Sequence, residues 1–155
     1  MKHRPRKIER EVAEHLSRFF VSRGWAPVRR IPVLGRTGPD IEINESGFVI
    51  DVKSRKEIPV TALVKKGQIG DYGNGLMAVR LDEIEKLYTD ELPNVTLSTS
   101  KKVTRYWEHM DEWRREHCPE GITLIILHRP GRHVYTSTVV FHSEQRSVLN
   151  GKTTI

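Results

Sequence analysis

The sequence predicts an α/β protein in which helices pack against a mixed sheet. Two segments, residues 6–23 and 103–117, place apolar residues at steps of three and four, the spacing of amphipathic helices. Short alternating or apolar segments, bounded by turn residues, lie between and after them and are typical of strands. The resulting order of helix, three strands, insertion, helix and two strands favours one mixed sheet.

The chain of 155 residues has the length of a single domain, 1–155. We divide it into a core, residues 6–56 and 101–142, and an insertion over about residues 57–100. A chain of this size buries roughly 70% of its unfolded surface, so it needs no disulfide or metal for stability. It contains one cysteine, Cys118, which excludes an intramolecular disulfide framework.

The first half of the core begins with a helix that Gly24 is expected to end. Residues 25–31 resemble a short edge strand because a proline interrupts them, and residues 32–39 are rich in turn-forming glycine and proline. Residues 40–44 and 48–53 alternate in polarity on either side of a Glu-Ser-Gly turn, which predicts a hairpin. The apolar face of the helix consists of Ile8, Val12, Leu16, Phe19 and Phe20.

The insertion contains several glycines, a strand-like segment at residues 76–81 and a short helical segment at residues 81–88. It has too few apolar residues to fold alone, so we expect it to pack beside the core. After the second helix, residues 122–128 and 134–141 flank the turn sequence Arg-Pro-Gly-Arg. This pattern predicts a second hairpin.

The charge of the chain indicates a polyanionic partner. Lysine and arginine number 26 against 20 aspartate and glutamate, which gives a net charge of +6 and a pI near 9.6. No apolar run approaches the roughly 20 residues that span a bilayer, and the basic N-terminus lacks the apolar segment of a signal peptide. We therefore expect a cytoplasmic protein of a prokaryotic or phage-infected cell, with no membrane partner. No Walker-type glycine loop is present, so no nucleotide cofactor is expected.

Three charged residues form the most informative pattern. Asp40 opens the first hairpin strand, and Asp51 and Lys53 share one face of the second because they are two residues apart. The hairpin can bring the two carboxylates side by side, with Lys53 on the same side. An Asp-x-Lys pattern is common on exposed strands, but here it interrupts an apolar strand, where charge is costly without a function. Such an oxygen-rich pocket suits Mg²⁺ or Mn²⁺, which can support phosphodiester hydrolysis.

These residues also carry a family resemblance. Pro39-Asp40 followed by Asp51-Val52-Lys53 resembles the PD-(D/E)XK nuclease signature, with aspartate as the second acid. The flanking sequences resemble those of archaeal Holliday junction resolvases and related phage nucleases; they are residues 8–12, 24–29 and 50–56. The resemblance spans residues 6–56. It implies a restriction-endonuclease-like αβββαβ core, here with an insertion before the second core helix.

The resemblance implies a role for each matching residue. Asp40 and Asp51 would bind the metal ion, which is expected to be Mg²⁺, with Mn²⁺ as a substitute. Lys53 would be the catalytic lysine. The backbone carbonyl of Val52 would be a further metal ligand. Glu9 on the first helix would complete the catalytic and metal-binding set, with Glu11 as the alternative.

DNA is the expected partner, held by basic residues around these acids and by a threonine in the loop of residues 34–38. The residues expected to contact DNA are Arg4, Arg6, Lys7, Arg10, Arg29, Arg30, Arg36, Thr37, Arg55 and Lys56.

Together these expectations describe a Mg²⁺-dependent endodeoxyribonuclease for branched DNA, a Holliday junction resolvase. Paired nicks across a four-way junction require two active sites, so we expect a homodimer. The insertion is atypical of small resolvases and leaves open a less structure-selective endonuclease of a phage, mobile element or restriction system. A DNA-binding module with an inactive nuclease site is the non-enzymatic alternative. Gln68 and Tyr72 form a Gln-x-x-x-Tyr pair that resembles one in the exonuclease branch of the same superfamily. In that branch the pair lies on a helix, and the nearby glycines argue against a helix here.

Overall fold

The first helix is amphipathic and ends at a glycine. The structure is a computed structural model that describes residues 5–31, 38–42, 47–88, 92–98 and 101–145, without the side chains of residues 5, 6 and 88. Helix α1 (Pro5–Ser22) extends to within one residue of both predicted bounds. Gly24 follows it with a φ of +81°, and its amide donates to the Val21 carbonyl at 2.9 Å. Only glycine adopts this conformation readily, which explains why the helix stops here.

The structure contains six strands and a second helix: β1 (Phe48–Ser54), β2 (Ile69–Asp71), β3 (Leu76–Arg80), β4 (Asn94–Thr96), α2 (Lys101–His117), β5 (Ile122–His128) and β6 (Thr138–His142). A 3₁₀ helix, Leu81–Tyr88, follows β3. The strands form one mixed sheet in the order β1-β5-β6-β3-β2-β4. This architecture confirms the predicted mixed α/β class.

Parallel pairing of β1 with β5 places two apolar strands side by side. Strands β5, β6, β3 and β2 are joined by antiparallel pairing, and β4 lies parallel to β2. On the other side of β1, single antiparallel bridges join Ile50 to Ile41 and Ile41 to Arg30. The chain before β1 therefore continues the sheet through residues 40–42.

Apolar side chains cover both faces of the sheet: one face packs against α1 and the other against α2. On the α1 face, Phe20 contacts the rings of Phe48 and Trp25, with centroid distances of 5.1 and 5.9 Å. On the α2 face, Trp107 and Met110 pack in a second buried cluster that includes strands β1, β5 and β6. Burial on both faces explains why β1 and β5 are nearly continuous apolar runs.

The insertion contributes three strands to the same sheet rather than lying apart from it. The strand-like segment at residues 76–81 is β3, and the helical segment at residues 81–88 is the 3₁₀ helix. Tyr72 follows β2, and its hydroxyl donates to the Ala62 carbonyl at 2.6 Å in a buried position. The pair formed with Gln68 is therefore not on a helix, as the glycines indicated.

The second predicted hairpin has the correct strand pairing, but the prediction for the first residues of its second strand is wrong. β5 and β6 are antiparallel, but Val134–Thr136 is a 3₁₀ turn and not part of a strand. Val134 is buried in the layer under α1, and the side chain of His133 accepts the Tyr135 amide at 3.2 Å. Burial of Val134 and the hydrogen bond of the Tyr135 amide stabilise this segment without a partner strand.

Part of the first predicted hairpin lies outside the described residues, namely positions 43–46 of the strand and turn. In the described portion, the Ile41 to Ile50 bridge has the antiparallel sense that the hairpin requires. Over the same described ranges, neither helix combines the length and hydropathy needed to cross a bilayer.

Candidate functional site

Asp40 is held against the edge of β1 by its backbone and its side chain. Its amide donates to the Ile50 carbonyl at 3.1 Å, and its own carbonyl accepts from the Ile31 amide at 2.8 Å. Its carboxylate Oδ2 accepts a hydrogen bond from the Val52 amide at 2.9 Å. These contacts fix the carboxylate beside the strand that carries the other charged residues.

Asp51 and Lys53 lie on β1, where their spacing puts them on one face. Asp51 is 4% exposed, and its Oδ2 is 3.0 Å from the Nζ of Lys53. The side chain of Asp40 lies within hydrogen-bond reach of Asp51. The structure therefore brings Asp40, Asp51 and Lys53 together, as the alternation of the two strands predicted.

The proximity of two carboxylates perturbs the ionisation of Asp40. Burial raises the pKa of this carboxyl, and the hydrogen bond and charge of Asp51 raise it further. The Val52 amide and the charge of Lys53 act in the opposite direction, and the net result is a pKa of about 7. Two acids in one partly buried pocket cannot both ionise cheaply, and a divalent cation relieves that repulsion.

Lys53 has a second neighbour that the sequence did not identify. Its Nζ lies 5.3 Å from the centroid of the Tyr106 ring on α2, within cation–π distance. The Lys53 ammonium therefore contacts both the Asp51 carboxylate and the Tyr106 ring. The helical spacing of α2 placed Tyr106 on a partly apolar face. No sequence pattern, however, indicates which strand residue this ring contacts.

Glu9 forms an ion pair with Arg30. Its Oε1 lies 3.1 Å from the Nε of Arg30, and both side chains are less than one-fifth exposed, at 19% and 18%. Because Arg30 bridges to Ile41, this contact ties α1 to the strand that positions Asp40. Over the described ranges, no three acidic, histidine or cysteine side chains are grouped so as to hold a metal ion.

The residues expected to contact DNA fall into three groups. Lys7, Arg10, Arg55 and Lys56 are exposed, as is Arg29, which pairs with Glu42 at 3.1 Å. Arg30 is largely buried by its contact with Glu9. Positions outside the described part of the chain are Arg4, Arg36, Thr37 and the side chain of Arg6.

A hydroxyl–imidazole pair lies at the end of β1 and was missed by the sequence analysis. Ser54 Oγ is 2.7 Å from Nδ1 of His128, whose Nε2 is 2.9 Å from the Arg132 carbonyl. Since a carbonyl only accepts, Nε2 carries the proton and Nδ1 accepts from the serine hydroxyl. The two residues are 74 positions apart, so only the parallel pairing of β1 with β5 reveals their contact.

Ser54 and His128 line a cavity of about 580 Å³ that also includes Lys7 and Glu11. Glu11, the alternative acid on α1, therefore faces this cavity.

The donor set of the carboxylate pair fits a hard divalent cation, because carboxylate oxygens are the ligands that Mg²⁺ and Mn²⁺ prefer. The fit depends on Asp40 and Asp51, because burial and the neighbouring Asp51 carboxylate together raise the pKa of Asp40 and a bound cation would offset both effects. No family model, curated protein or solved structure matches this chain.

Proposed function

We propose that this chain is a Mg²⁺-dependent endodeoxyribonuclease of the PD-(D/E)XK type. The observation that carries the proposal is the meeting of Asp40, Asp51 and Lys53, with a 3.0 Å contact between the last two. Charges gathered in a partly buried pocket reduce stability unless fully compensated, and this cost favours a chemical role for them.

The proposed centre divides its tasks among three side chains. Asp40 and Asp51 would hold the cation, together with the Val52 carbonyl, and a bound Mg²⁺ supplies charge for the scissile phosphate and acidifies a water molecule. Lys53, oriented by Asp51 and the Tyr106 ring, is placed to donate a hydrogen bond to a phosphate oxygen as negative charge develops. The Val52 amide keeps Asp40 in position throughout.

The order of elements supports the restriction-endonuclease-like αβββαβ core. Helix α1 comes first, then the bridged segments around Arg30 and Ile41 and strand β1, then α2, then β5. The strands of the insertion add to the sheet beyond β6, on the side away from the carboxylates. The site therefore lies within the proposed core and not at its junction with the insertion.

Glu9 is proposed as a supporting acid of this centre. Its pairing with Arg30 locks the segment that leads to Asp40, so Glu9→Gln should lower the cleavage rate. Measuring Mg²⁺ affinity in the same variant separates the two possible roles, because a metal ligand would weaken binding and a positioning residue would not.

Branched DNA, and a four-way junction first, is the proposed substrate, cut by a homodimer. The insertion favours a second candidate, a less structure-selective endonuclease of the same type. Assays on a synthetic four-way junction and a matched linear duplex distinguish them, since a resolvase cuts the junction selectively and the second candidate cuts both.

The proposal is tested by Asp51→Asn in a cleavage assay with Mg²⁺ on those two DNA substrates. We expect activity to fall by at least about a thousandfold, which corresponds to about 4 kcal/mol of transition-state stabilisation. The matched control is Asp71→Asn on β2, because an asparagine Oδ1 can still accept the Gly73 amide as Asp71 does. Full activity of Asp51→Asn, or equal loss in the control, would contradict the assignment of the site.

A further inference from the structure

Two cavities on the molecule share a wall. The first, of about 580 Å³, lies between the start of α1 and the ends of β1 and β5. The second, of about 500 Å³, lies between the segment of residues 60–66 and β3. Arg132 and His133 line both. We call the two cavities together the basic groove; each has the volume of a small-molecule or nucleotide site.

The lining of the basic groove is strongly positive. Lys7 and Arg132 line the first cavity, where Glu11 is the acidic residue; Lys65, Lys66, Arg80 and Arg132 line the second. Arg80 is paired with Asp82, at 2.9 Å between Nε and Oδ1. Among the residues that the structure describes, the acids form no ion pair with Lys7, Lys65, Lys66 or Arg132. Cations left unpaired along a groove attract a chain of phosphates.

The shared wall of the groove is fixed by the hydroxyl–imidazole pair. His128 is 3% exposed and donates from Nε2 to the Arg132 carbonyl at 2.9 Å, while Ser54 donates to its Nδ1 at 2.7 Å. The Arg129 side chain also donates to the Ile58 carbonyl, which links the loop to the segment beside the second cavity. The backbone of Arg132 is therefore held by partly buried contacts to β1 and β5, so this wall of the groove is in place before any ligand binds.

Two large apolar side chains are exposed here: Val60 in the lining of the second cavity, and Tyr135, which lines neither cavity but contacts His133, a residue that lines both. Val60 is 50% exposed and lines the second cavity, and Tyr135 is 38% exposed. The Tyr135 ring lies 4.4 Å from the His133 ring and 5.1 Å from the His15 ring. An accessible aromatic ring beside unpaired cations is the combination with which proteins stack the bases of single strands. Bases within a duplex are stacked on each other and cannot use it.

We propose that the basic groove binds an unpaired DNA strand, with phosphates held by Lys65 and Arg132 and a base stacked on Tyr135. Ser54, in its wall, directly follows Lys53 in β1, so the two side chains leave the strand on opposite faces. The groove therefore lies on the α1 face of β1, at the end of the strand that carries Lys53. The inference rests on the proposed nuclease function and specifies its substrate as DNA that exposes single-stranded residues.

The test measures binding without cleavage. Fluorescence anisotropy with a labelled oligothymidylate of about 12 nucleotides, in EDTA, compares the wild type with Lys65→Ala/Arg132→Ala and with Tyr135→Ala. We expect each to bind on the order of tenfold more weakly. The double variant should also reduce the slope of log affinity against log salt by about 1.4. The matched control is Lys101→Ala/Arg105→Ala, which removes one lysine and one arginine from exposed positions of α2 that line neither cavity.

Three results would overturn the groove: equal weakening in the control, unchanged binding by Tyr135→Ala, or a linear duplex that competes as well as the oligothymidylate. The nuclease function is judged separately, since Asp51→Asn should bind the oligothymidylate like the wild type. If binding follows these expectations but no DNA is cleaved, the proposal for the groove stands and the proposed nuclease function is refuted. Cleavage with unchanged binding in the groove variants would refute the groove alone.

Discussion

At Asp40, burial and the neighbouring carboxylate of Asp51 act on the same proton. The pKa of about 7 lies well above the ordinary value of 3.8, so the folded protein holds this proton more tightly than the unfolded chain. A raised carboxyl pKa contributes stability that is fully present below pH 3.8 and is lost as the pH rises to about 7. The candidate site therefore opposes folding in the pH range where the proposed chemistry operates.

The first prediction concerns Asp40→Asn. An asparagine can accept the Val52 amide and donate to Asp51 without ionising, so the variant should avoid the loss of stability between about pH 4 and pH 7. We expect it to be more stable than the wild type at pH 8 in EDTA, by on the order of 1 to 3 kcal/mol, and to differ little at pH 4. Urea unfolding at both pH values provides the measurement. A variant less stable than the wild type at pH 8 would contradict the shared-proton description.

The second prediction concerns metal binding by the same pair. Mg²⁺ at a hundredfold excess over its dissociation constant should stabilise the wild type by about 2.7 kcal/mol, because the ion binds only the folded carboxylates. Thermal unfolding with and without Mg²⁺ should show this shift in the wild type and in Asp71→Asn. The shift should disappear in Asp40→Asn and Asp51→Asn, and a shift that persists in both would place the ion elsewhere.

Among the elements, β1 is the strand that links the candidate centre, the core under α1 and the basic groove. Its one face presents Asp51 and Lys53, its other face packs under α1, and its last residue, Ser54, lines the basic groove. Helix α2 holds this strand from the opposite side through Tyr106 and is anchored to β5 by a buried polar cluster. In that cluster Asp111 accepts from Arg114 Nε and from Thr123 Oγ1, both at 2.8 Å.

The third prediction tests this anchor. Burial acts to raise the pKa of Asp111, but the hydrogen bonds from Arg114 and Thr123 and the nearby guanidinium charges lower it below its ordinary value. Its ionised form therefore stabilises the fold above pH 3.8, and this contribution is lost as the pH falls further. Asp111→Asn should cost about 3 to 5 kcal/mol at pH 7, because it leaves Arg114 buried without its charged partner. Thermal or urea unfolding measures the loss.

The control for this anchor is Glu112→Gln, at the next and exposed position of α2. It should change stability by less than about 0.5 kcal/mol. Equal effects of the two substitutions would show that the polar cluster is not what attaches α2 to the sheet.

The sequence predicted those features that depend on local periodicity. The two-residue alternation placed Asp51 and Lys53 on one face, and the hairpin sense placed Asp40 beside them. Contacts between distant segments were not predictable in this way. The pairing of Glu9 with Arg30, the ring of Tyr106 over Lys53 and the Ser54–His128 pair depend on how helices and strands pack across the sheet. No spacing along the chain encodes them. The turn at Val134–Thr136 was missed because burial of Val134 and a side-chain hydrogen bond replaced the strand pairing that its composition suggested.

For the whole molecule, the proposed activity depends on the assembly of two chains. In the proposed function one carboxylate pair would cut one strand, so a four-way junction resolved by paired nicks would require a second copy. The net charge of +6 opposes association of two chains in the absence of DNA and favours it on a polyanion.

The fourth prediction follows from this charge balance. Light scattering of Asp51→Asn with a four-way junction should give a complex that contains twice the mass of the 17.9 kDa chain in protein. The same mass should be reached with the wild type in EDTA. A complex with one chain per junction would exclude resolution by paired nicks and would favour the less structure-selective endonuclease.

The parallel pairing of β1 with β5 also has a consequence for synthesis of the chain. Ser54 and His128 are 74 residues apart, and the whole insertion and α2 must be made before the two strands can meet. Closing so long a loop is slow compared with forming the local helices. Asp40 and Asp51 are therefore synthesised long before β1 has its neighbour, and the candidate site becomes ordered only after β5 has been made.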